Sequence, residues 1–332
     1  MYKAYFASDS SANTGPAIVN MYYKKYLNSN EYHFSKTYNN KVLRLINDIR
    51  NIFRSKVVVF SGASMADIIY MRICKMLKKK MIYIMHGCIQ EENKINRVEN
   101  EKETKLELRY LKNVDLVLGV SQHFVEWVKQ YYPQVIGKIQ SLPNGVDMNM
   151  DFSPEEDRER DSLTIAIVGG GIPRKNVLVI CEALEEIRKE TGKTYTLKVF
   201  GRDEVYTPQI KQFSFVEYYG KIPRDEMFSE LRTAHLFIQN SVFESFGMAP
   251  IEALMLGCNV LCSNNVGSLS IIETIEETDV IKDCSDIQEI KGKIQYNMQH
   301  RNNKRLIDGL DKDKTSFRNR ARELEEYIQG LL

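Results

Sequence analysis

The stretch from His235 to Ser263 constrains the fold of this chain more than any other. Residues 235–239 form a short apolar run of the kind that fills a buried strand of a parallel sheet. Small and polar residues follow, then Glu244-Ser-Phe-Gly247. Over residues 248–256 the apolar side chains recur at helical spacing, and Gly257 is a stop signal just past the end. Asn259-Val-Leu-Cys-Ser263 reads as the next strand. The segment is therefore one βαβ unit. Its loop lies at the carboxyl end of a strand, where open α/β sheets take their ligands.

Two carboxylates mark this loop and helix. Glu244 lies in the loop, and Glu252 lies about two turns further along, inside the helix. Between them the amides of Phe246, Gly247, Met248 and Ala249 are first-turn donors with no intrahelical acceptor. Such a helix start attracts anions, phosphate above all. Pro250 fits only in a first turn, which supports this start. Carboxylates accept hydrogen bonds from hydroxyls. Two of them flanking a phosphate cradle suit a ligand made of sugar, diphosphate and ribose.

Glu244, seven intervening residues and Glu252 resemble the E-x7-E motif of glycosyltransferase family 4, retaining enzymes of GT-B fold. The flanking Glu-Ser-Phe-Gly and Ile-Glu-Ala-Leu-Met-Leu-Gly match as well. The resemblance covers nearly the whole chain and is densest over residues 235–270, with shorter matches at 81–87 and 143–147. It implies an α/β protein with two Rossmann-like, doubly wound domains facing a central cleft. It also implies that Glu244 contacts hydroxyls of the donor sugar and that Glu252 holds the ribose.

A chain of 332 residues is long enough for two domains. Its 43% hydrophobic and 27% charged residues are those of a soluble globular protein. No apolar run is long enough to span a bilayer, and residues 1–8 enter a strand directly, without signal-peptide form. Cys74, Cys88, Cys181, Cys258, Cys262 and Cys284 show no CxxC pairing and read as reduced core thiols of a cytoplasmic protein. Residues 1–155 hold 22 Lys+Arg against 15 Asp+Glu, and the remainder holds 24 against 29. A basic half of this kind suits nucleic acid or an anionic membrane surface. A solvated lysine-rich helix explains it equally well. The expectation is no nucleic acid, and a peripheral position at the inner face of the cell membrane.

The first half alternates strands and helices. Residues 3–8 read as a strand, 9–16 as a loop of small residues, 17–27 as a tyrosine-rich helix. Such a loop lets a ligand approach the backbone, and the resemblance makes Gly15 its donor-facing residue. Tyr22, Tyr23 and Tyr26 read as packing residues. A helix over 41–54 precedes a strand over 57–62. Ser64 then caps a helix running to about Lys80. Residues 81–85 form a buried strand with His86-Gly87 at its exit. The exit position points to a site, and the resemblance puts the histidine close to the donor sugar. Residues 88–105 are strongly charged and read as a loop. A strand over 115–121 and a helix started by Ser121 follow, with His123 and Trp127 as surface and packing residues. Pro143-Asn-Gly-Val-Asp147 resembles the family turn leading into the interdomain linker, here residues 151–161.

The second half restarts the alternation with a strand over 163–169. Gly169-Gly-Gly-Ile-Pro-Arg-Lys-Asn176 is a loop before a helix capped by Asn176. Arg174 stands where a G-x-G-x-x-G fingerprint needs its third glycine, which disfavours a nicotinamide cofactor. A cationic loop at a strand exit suits a diphosphate instead. By resemblance Lys175 is the phosphate ligand. The family arginine just after the first glycine has no counterpart, since Gly170 or Gly171 stands there, and Arg174 or Arg202 would have to substitute. Strands over 196–200 and 215–220 follow. The resemblance makes Ile222 the residue whose main chain meets the nucleobase. Residues 224–234 read as a helix, 279–281 as a last short strand, and 314–331 as a long amphipathic helix. Asp311-Lys-Asp313 has D-x-D form but reads as surface.

The expected domains are 1–155 on the acceptor side and 160–313 on the donor side, with the helix over 314–332 packed back on the first. The expected function is retaining transfer of a sugar to a hydroxyl. The donor is a nucleotide-diphosphate sugar, UDP favoured over GDP. The acceptor is a glycan or lipid-linked glycan, in bacterial surface polysaccharide synthesis. Glu244, His86 and Lys175 are the catalytic candidates. Glu252, Arg174, Arg202, Ile222, residues 246–249 and Gly15 are the donor-binding ones. No metal or other cofactor is expected. The alternatives are a nucleotide-sugar epimerase of the same fold, against which stands the lack of an obvious carboxylate pair in the first half of this chain, and a catalytically inactive binding subunit.

Overall fold

The computed structural model describes residues 1–7, 15–36, 38, 40–147 and 161–332. The small-residue loop over 9–14 and the linker over 151–160 lie outside the described residues. Among the described residues, twelve strands form two parallel sheets. The chain divides into two compact units. One holds Met1–Lys94, Val98–Asp147 and Lys312–Leu332, the other Ile95–Arg97 and Met148–Asp311.

The first unit holds β1 (Tyr2–Phe6), β2 (Tyr32–Phe34), β3 (Ser55–Ser61), β4 (Lys80–Met85), β5 (Leu116–Gly119) and β6 (Ile139–Ser141), in the order β2-β1-β3-β4-β5-β6. The runs at Val57, Val58, Val59 and Phe60 and at Ile82, Tyr83 and Ile84 are apolar on both faces because helices cover both faces of the sheet, and all seven are at most 2% exposed. β2 is a three-residue strand that the sequence does not announce. The C-terminal helix Phe317–Gln329 belongs to this unit: Phe317 stacks on Tyr22 with centroids 3.9 Å apart, and the Tyr327 hydroxyl donates to the Ser141 carbonyl at 3.0 Å.

The second unit holds β7 (Asp161–Val168), β8 (Thr196–Phe200), β9 (Val216–Gly220), β10 (Ala234–Gln239), β11 (Asn259–Ser263) and β12 (Val280–Ile281), in the order β12-β11-β10-β7-β8-β9. The chain winds outward from β7 to β9, then returns to β10 on the other side of β7. The strand order reverses between β7 and β10, and this is the point at which a doubly wound sheet binds ligands. Helices Val177–Thr191 and Ile287–Asn297 cover one face. Ile180, Leu184, Ile187, Ile290 and Ile294 are buried there, each contributing about 1.5–3 kcal/mol over an exposed side chain.

Four local expectations need correction. Ser64 does not cap a helix: the helix is Asp67–Met76, its cap is Ala66 without a side-chain bond, and Ser64 instead closes the preceding turn through Asp67 N at 3.0 Å. That helix stops at Met76 because Lys78 turns left-handed (φ 53°) and β4 already begins at Lys80. Asn176 is left-handed (φ 54°) and makes no cap; its side-chain amide donates to the Cys284 carbonyl at 2.6 Å. The charged stretch after Cys88 is a helix, Ile89–Asn96, rather than a loop.

The cause of that last helix lies 18 residues away. Buried Glu107 accepts the amides of Ile89 at 2.8 Å and Gln90 at 3.2 Å. It thus satisfies two orphan donors of the first turn, a side-chain cap supplied from a distance. Burial pushes Glu107 up to about 7, although these amides pull it down. A raised folded pKa means the stabilising state is the protonated one. Its contribution is complete below the ordinary carboxylate range and is lost as pH rises through about 7. Glu107→Gln is therefore expected to gain melting temperature relative to the wild type between pH 5 and pH 8. A difference between the two proteins that stays flat over this range would remove the argument.

Candidate active site

The loops leaving β7 and β10 meet at the strand-order reversal. Val242 N donates to the Arg174 carbonyl at 2.9 Å, and the Arg174 guanidinium donates to the Phe243 carbonyl at 2.8 Å. Asn240 and Asn176 both donate to the Cys284 carbonyl, at 3.0 and 2.6 Å. The loop after β7 is held from its other side as well. Gly169 N and Gly170 N donate to the Phe200 carbonyl at 2.7 and 2.9 Å, and Gly171 N donates to the Arg202 carbonyl at 3.4 Å. The three glycines thus spend their amides on the β8 exit, and they are glycine for steric reasons. A Cβ on Gly170 would lie 2.2 Å from the Arg202 carbonyl oxygen, and one on Gly171 2.3 Å from Thr207 Oγ1. This close packing is the physical reason that no arginine stands at 170 or 171.

The same anchoring delivers two cations to one carboxylate. The 3-10 turn Pro173–Lys175 presents both Arg174 and Lys175 to Glu244. Arg174 donates to Glu244 Oε2 at 3.1 Å, and Lys175 Nζ donates to the same oxygen. All three side chains are 11–16% exposed. Burial alone would raise the Glu244 pKa; the charges of Lys175 and Arg174 outweigh it and hold the carboxyl at about 2. Glu244 is thus a carboxylate at neutral pH, able only to accept hydrogen bonds. Its backbone is fixed too, with its amide on the Asn265 carbonyl at 3.2 Å and its carbonyl taking Gly267 N at 3.1 Å.

Immediately after Glu244 the helix Met248–Met255 begins. Gly247 precedes it with φ 86°, and a Cβ there would press on Glu244 Cγ at 3.1 Å and Val266 Cγ1 at 3.2 Å. Phe246 is buried and its carbonyl accepts Ser268 N at 2.7 Å. Met248 and Ala249 open the first turn, and Pro250 sits inside it. The helix is apolar almost throughout, so Glu252 is buried among Ile251, Ala253 and Leu254. Its partner is Arg224, whose guanidinium donates to Glu252 Oε1 at 2.6 Å.

In the first unit, His86 follows β4 and its Nε2 lies 2.7 Å from Ser61 Oγ at the end of β3. Burial lowers the His86 pKa to about 4, so the ring is neutral at physiological pH.

The sequence candidates divide as follows. Glu244, Arg174 and Lys175 form one cluster, with Phe246 and Gly247 leading into the adjoining helix and Met248, Ala249 and Glu252 on it. Arg202 stands apart: it is 68% exposed and paired with Glu204 at 2.7 Å. Ile222 is half-buried after β9, and Gly15 is the exposed first residue of helix Gly15–Tyr26. Two groups escape a sequence reading. Arg224 reads there only as a helix start, and nothing local announces its pairing with Glu252, 28 residues on. Ser268 Oγ is buried without a hydrogen-bond partner among the described residues and lies 3.7 Å from where a Cβ on Gly247 would stand. Among the described residues no three His, Cys, Asp or Glu side chains gather as metal ligands.

Two doubly wound parallel sheets, the second with a cation–carboxylate cluster at its reversal point, make this an α/β protein of the two-domain GT-B type. The family model described as "Glycosyl transferases group 1" matches residues 150–322, just over half of the chain, and the chain belongs to that family. It is similar to the O-antigen chain mannosyltransferase B of Escherichia coli, 26% identical over 139 residues, covering 40% of this chain and 36% of that protein. The chain matches between 28% and 42% of the length of such curated relatives. Among solved structures it is similar to the sucrose-phosphate synthase of Thermosynechococcus elongatus, with TM-score 0.73, 15% identity and coverage of 99% and 98% of the two chains. Anabaena HepE in complex with UDP gives TM-score 0.68 and 12% identity over 99% and 100% of the two chains. These likenesses concern the fold.

Proposed function

We propose that this protein transfers a sugar from a nucleotide-diphosphate sugar to a hydroxyl of a glycan or lipid-linked glycan, with retention at the anomeric carbon. The observation that carries the reading is the Arg174–Lys175–Glu244 cluster beside the start of helix Met248–Met255. With no donor bound, Glu244 holds both cations in place. A diphosphate at the helix start draws them onto its oxygens, and Glu244 is released to accept hydroxyls of the donor sugar. As the bond from the anomeric carbon to the phosphate oxygen breaks, Lys175, Arg174 and the first-turn amides stabilise the charge gathering on the leaving diphosphate. The acceptor oxygen bonds to the same carbon, and its proton goes to the leaving phosphate. Glu252 holds the ribose, with Arg224 orienting its carboxylate through the 2.6 Å hydrogen bond. Neutral His86 serves as a hydrogen-bonding group toward the donor sugar. UDP is the favoured nucleotide of the donor because HepE, of the same fold, is seen with UDP. The O-antigen relative supports a polysaccharide acceptor, and the basic first half of the chain supports its presentation at a membrane.

A binding subunit without turnover is the second reading. The amides of Gly169, Gly170 and Gly171, spent on Phe200 and Arg202, favour it.

A thermal-shift screen with UDP, GDP, CMP and NAD separates these readings, since a ligand bound only by the native state raises the melting temperature. The expected result is a selective shift with one nucleoside diphosphate that is lost in Glu252→Ala, together with turnover of its sugar conjugate. Binding without turnover would establish the second reading, and a shift with NAD alone would refute both.

A further inference from the structure

We propose that helices Lys41–Phe53 and Asp67–Met76 form a docking surface for a bilayer that carries anionic phospholipid. The proposal deepens the membrane-presented acceptor above, and rests on that reading for its biological use alone.

The charge pattern comes first. Residues 41–80 contain ten Lys and Arg but only two acidic residues, Asp48 and Asp67. Both point inward, at 0% and 3% exposure. Asp48 accepts the hydroxyls of Tyr5 at 2.5 Å, Tyr70 at 2.8 Å and Ser35 at 3.0 Å. Asp67 accepts the hydroxyl of Tyr110. The segment therefore presents cations to solvent and no carboxylate.

The apolar pattern is the second observation. Val42, Leu43, Ile46 and Phe53 are 54–62% exposed, and Ile69 and Met76 are 42% and 80% exposed. Leu43, Ile46 and Phe53 share a helical face with exposed Arg50 and Arg54; Ile69 and Met76 share one with exposed Arg72. The two helices pack on each other, so the faces belong to one region. Beside it a groove between Asp67–Met76 and Glu101–Asn113 is lined by Arg72, Lys75, Arg109 and Lys112.

Apolar side chains rimmed by cations match the boundary between acyl chains and anionic headgroups. Nucleic acid would use the cations and leave Leu43, Ile46 and Phe53 in water. A second copy of the chain, docked through the same patch about a two-fold axis, would oppose like charges without one exposed carboxylate to offset them.

Flotation with vesicles of phosphatidylcholine alone, or of phosphatidylcholine and phosphatidylglycerol at about two to one, tests the surface. The expected result is partition onto the anionic vesicles at low salt, reduced at high salt. Ile46→Asp with Phe53→Asp, and separately Arg72→Glu with Lys75→Glu, are expected to weaken it by about tenfold or more. Circular dichroism and the donor-induced melting shift should be unchanged in both variants. Absence of partition at low salt, equal partition onto neutral vesicles, or variants that float like the wild type would overturn the proposal. So would a lipid-independent dimer that Ile46→Asp with Phe53→Asp abolishes, or single-stranded RNA displacing the vesicles. If vesicles bind but no nucleotide shifts the melting temperature, the surface stands and the glycosyl-transfer reading falls; the reverse pattern separates them the other way.

Discussion

Replacing Lys175 with methionine is expected to lower kcat/KM for sugar transfer by about 10²–10³-fold, the loss that follows removal of one preorganised group facing a developing negative charge. Lys175 is suited to that role because the base of its side chain is closely packed. A Cβ on Gly169 would meet Lys175 Cβ at 2.5 Å, so the glycine backbone lies directly against the side chain. Methionine keeps most of the stem and removes the ammonium. Arg174 remains on Glu244, 3.1 Å away, so the carboxylate is not left alone in a buried position. A second measurement separates catalysis from charge balance. If Lys175 serves only to neutralise Glu244, the nucleoside diphosphate should raise the melting temperature of Lys175→Met as much as that of the wild type. If it serves the diphosphate, that shift falls together with the rate. A single variant within about threefold of the wild-type rate would remove Lys175 from the catalytic assignment.

Introducing arginine at Gly170, which would restore the residue implied by the family resemblance, is expected to damage the protein rather than activate it. The new Cβ would lie 2.2 Å from the Arg202 carbonyl oxygen and 2.9 Å from the Gly201 carbonyl carbon. Those are backbone atoms, so no flexible side chain can move aside. The position also has φ 54°, which a non-glycine residue adopts at a cost. Overpacking and backbone strain each cost about 1–3 kcal/mol, so Gly170→Arg should lose about 3 kcal/mol or more. The check is denaturant unfolding of Gly170→Arg beside a surface control such as Lys193→Arg. A variant as stable as the control, with higher activity, would mean that the loop opens to admit the arginine. In that event the glycines would not be sterically required.

The two variants probe different kinds of information. The elements around the site are legible in the sequence because short-range interactions decide them. The apolar run before Asn240, Pro250 in a first turn and Gly257 just past the helix each act within a few residues, and the strand and helix appear where those signals put them. The doubly wound alternation and the E-x7-E pair are legible for the same reason: both are periodic along the chain.

What the sequence by itself determined, then, is the order of strands and helices, β2 and the helix Ile89–Asn96 excepted, and the place of Glu244 and Glu252 on one loop and helix. Tertiary structure alone decided which charges meet. Lys175 and Arg174 reach Glu244 across 69 and 70 residues, and Arg224 reaches Glu252 across 28. Glu107 makes a helix of a charged stretch that reads as a loop, and Asp48 and Asp67 turn inward so that a basic surface is left outside. The physical reason is the range of the forces. Helical and strand backbone bonding follows local pattern. An ion pair or a distant cap exists only once the sheet has closed, excluded water and fixed both partners at hydrogen-bond distance.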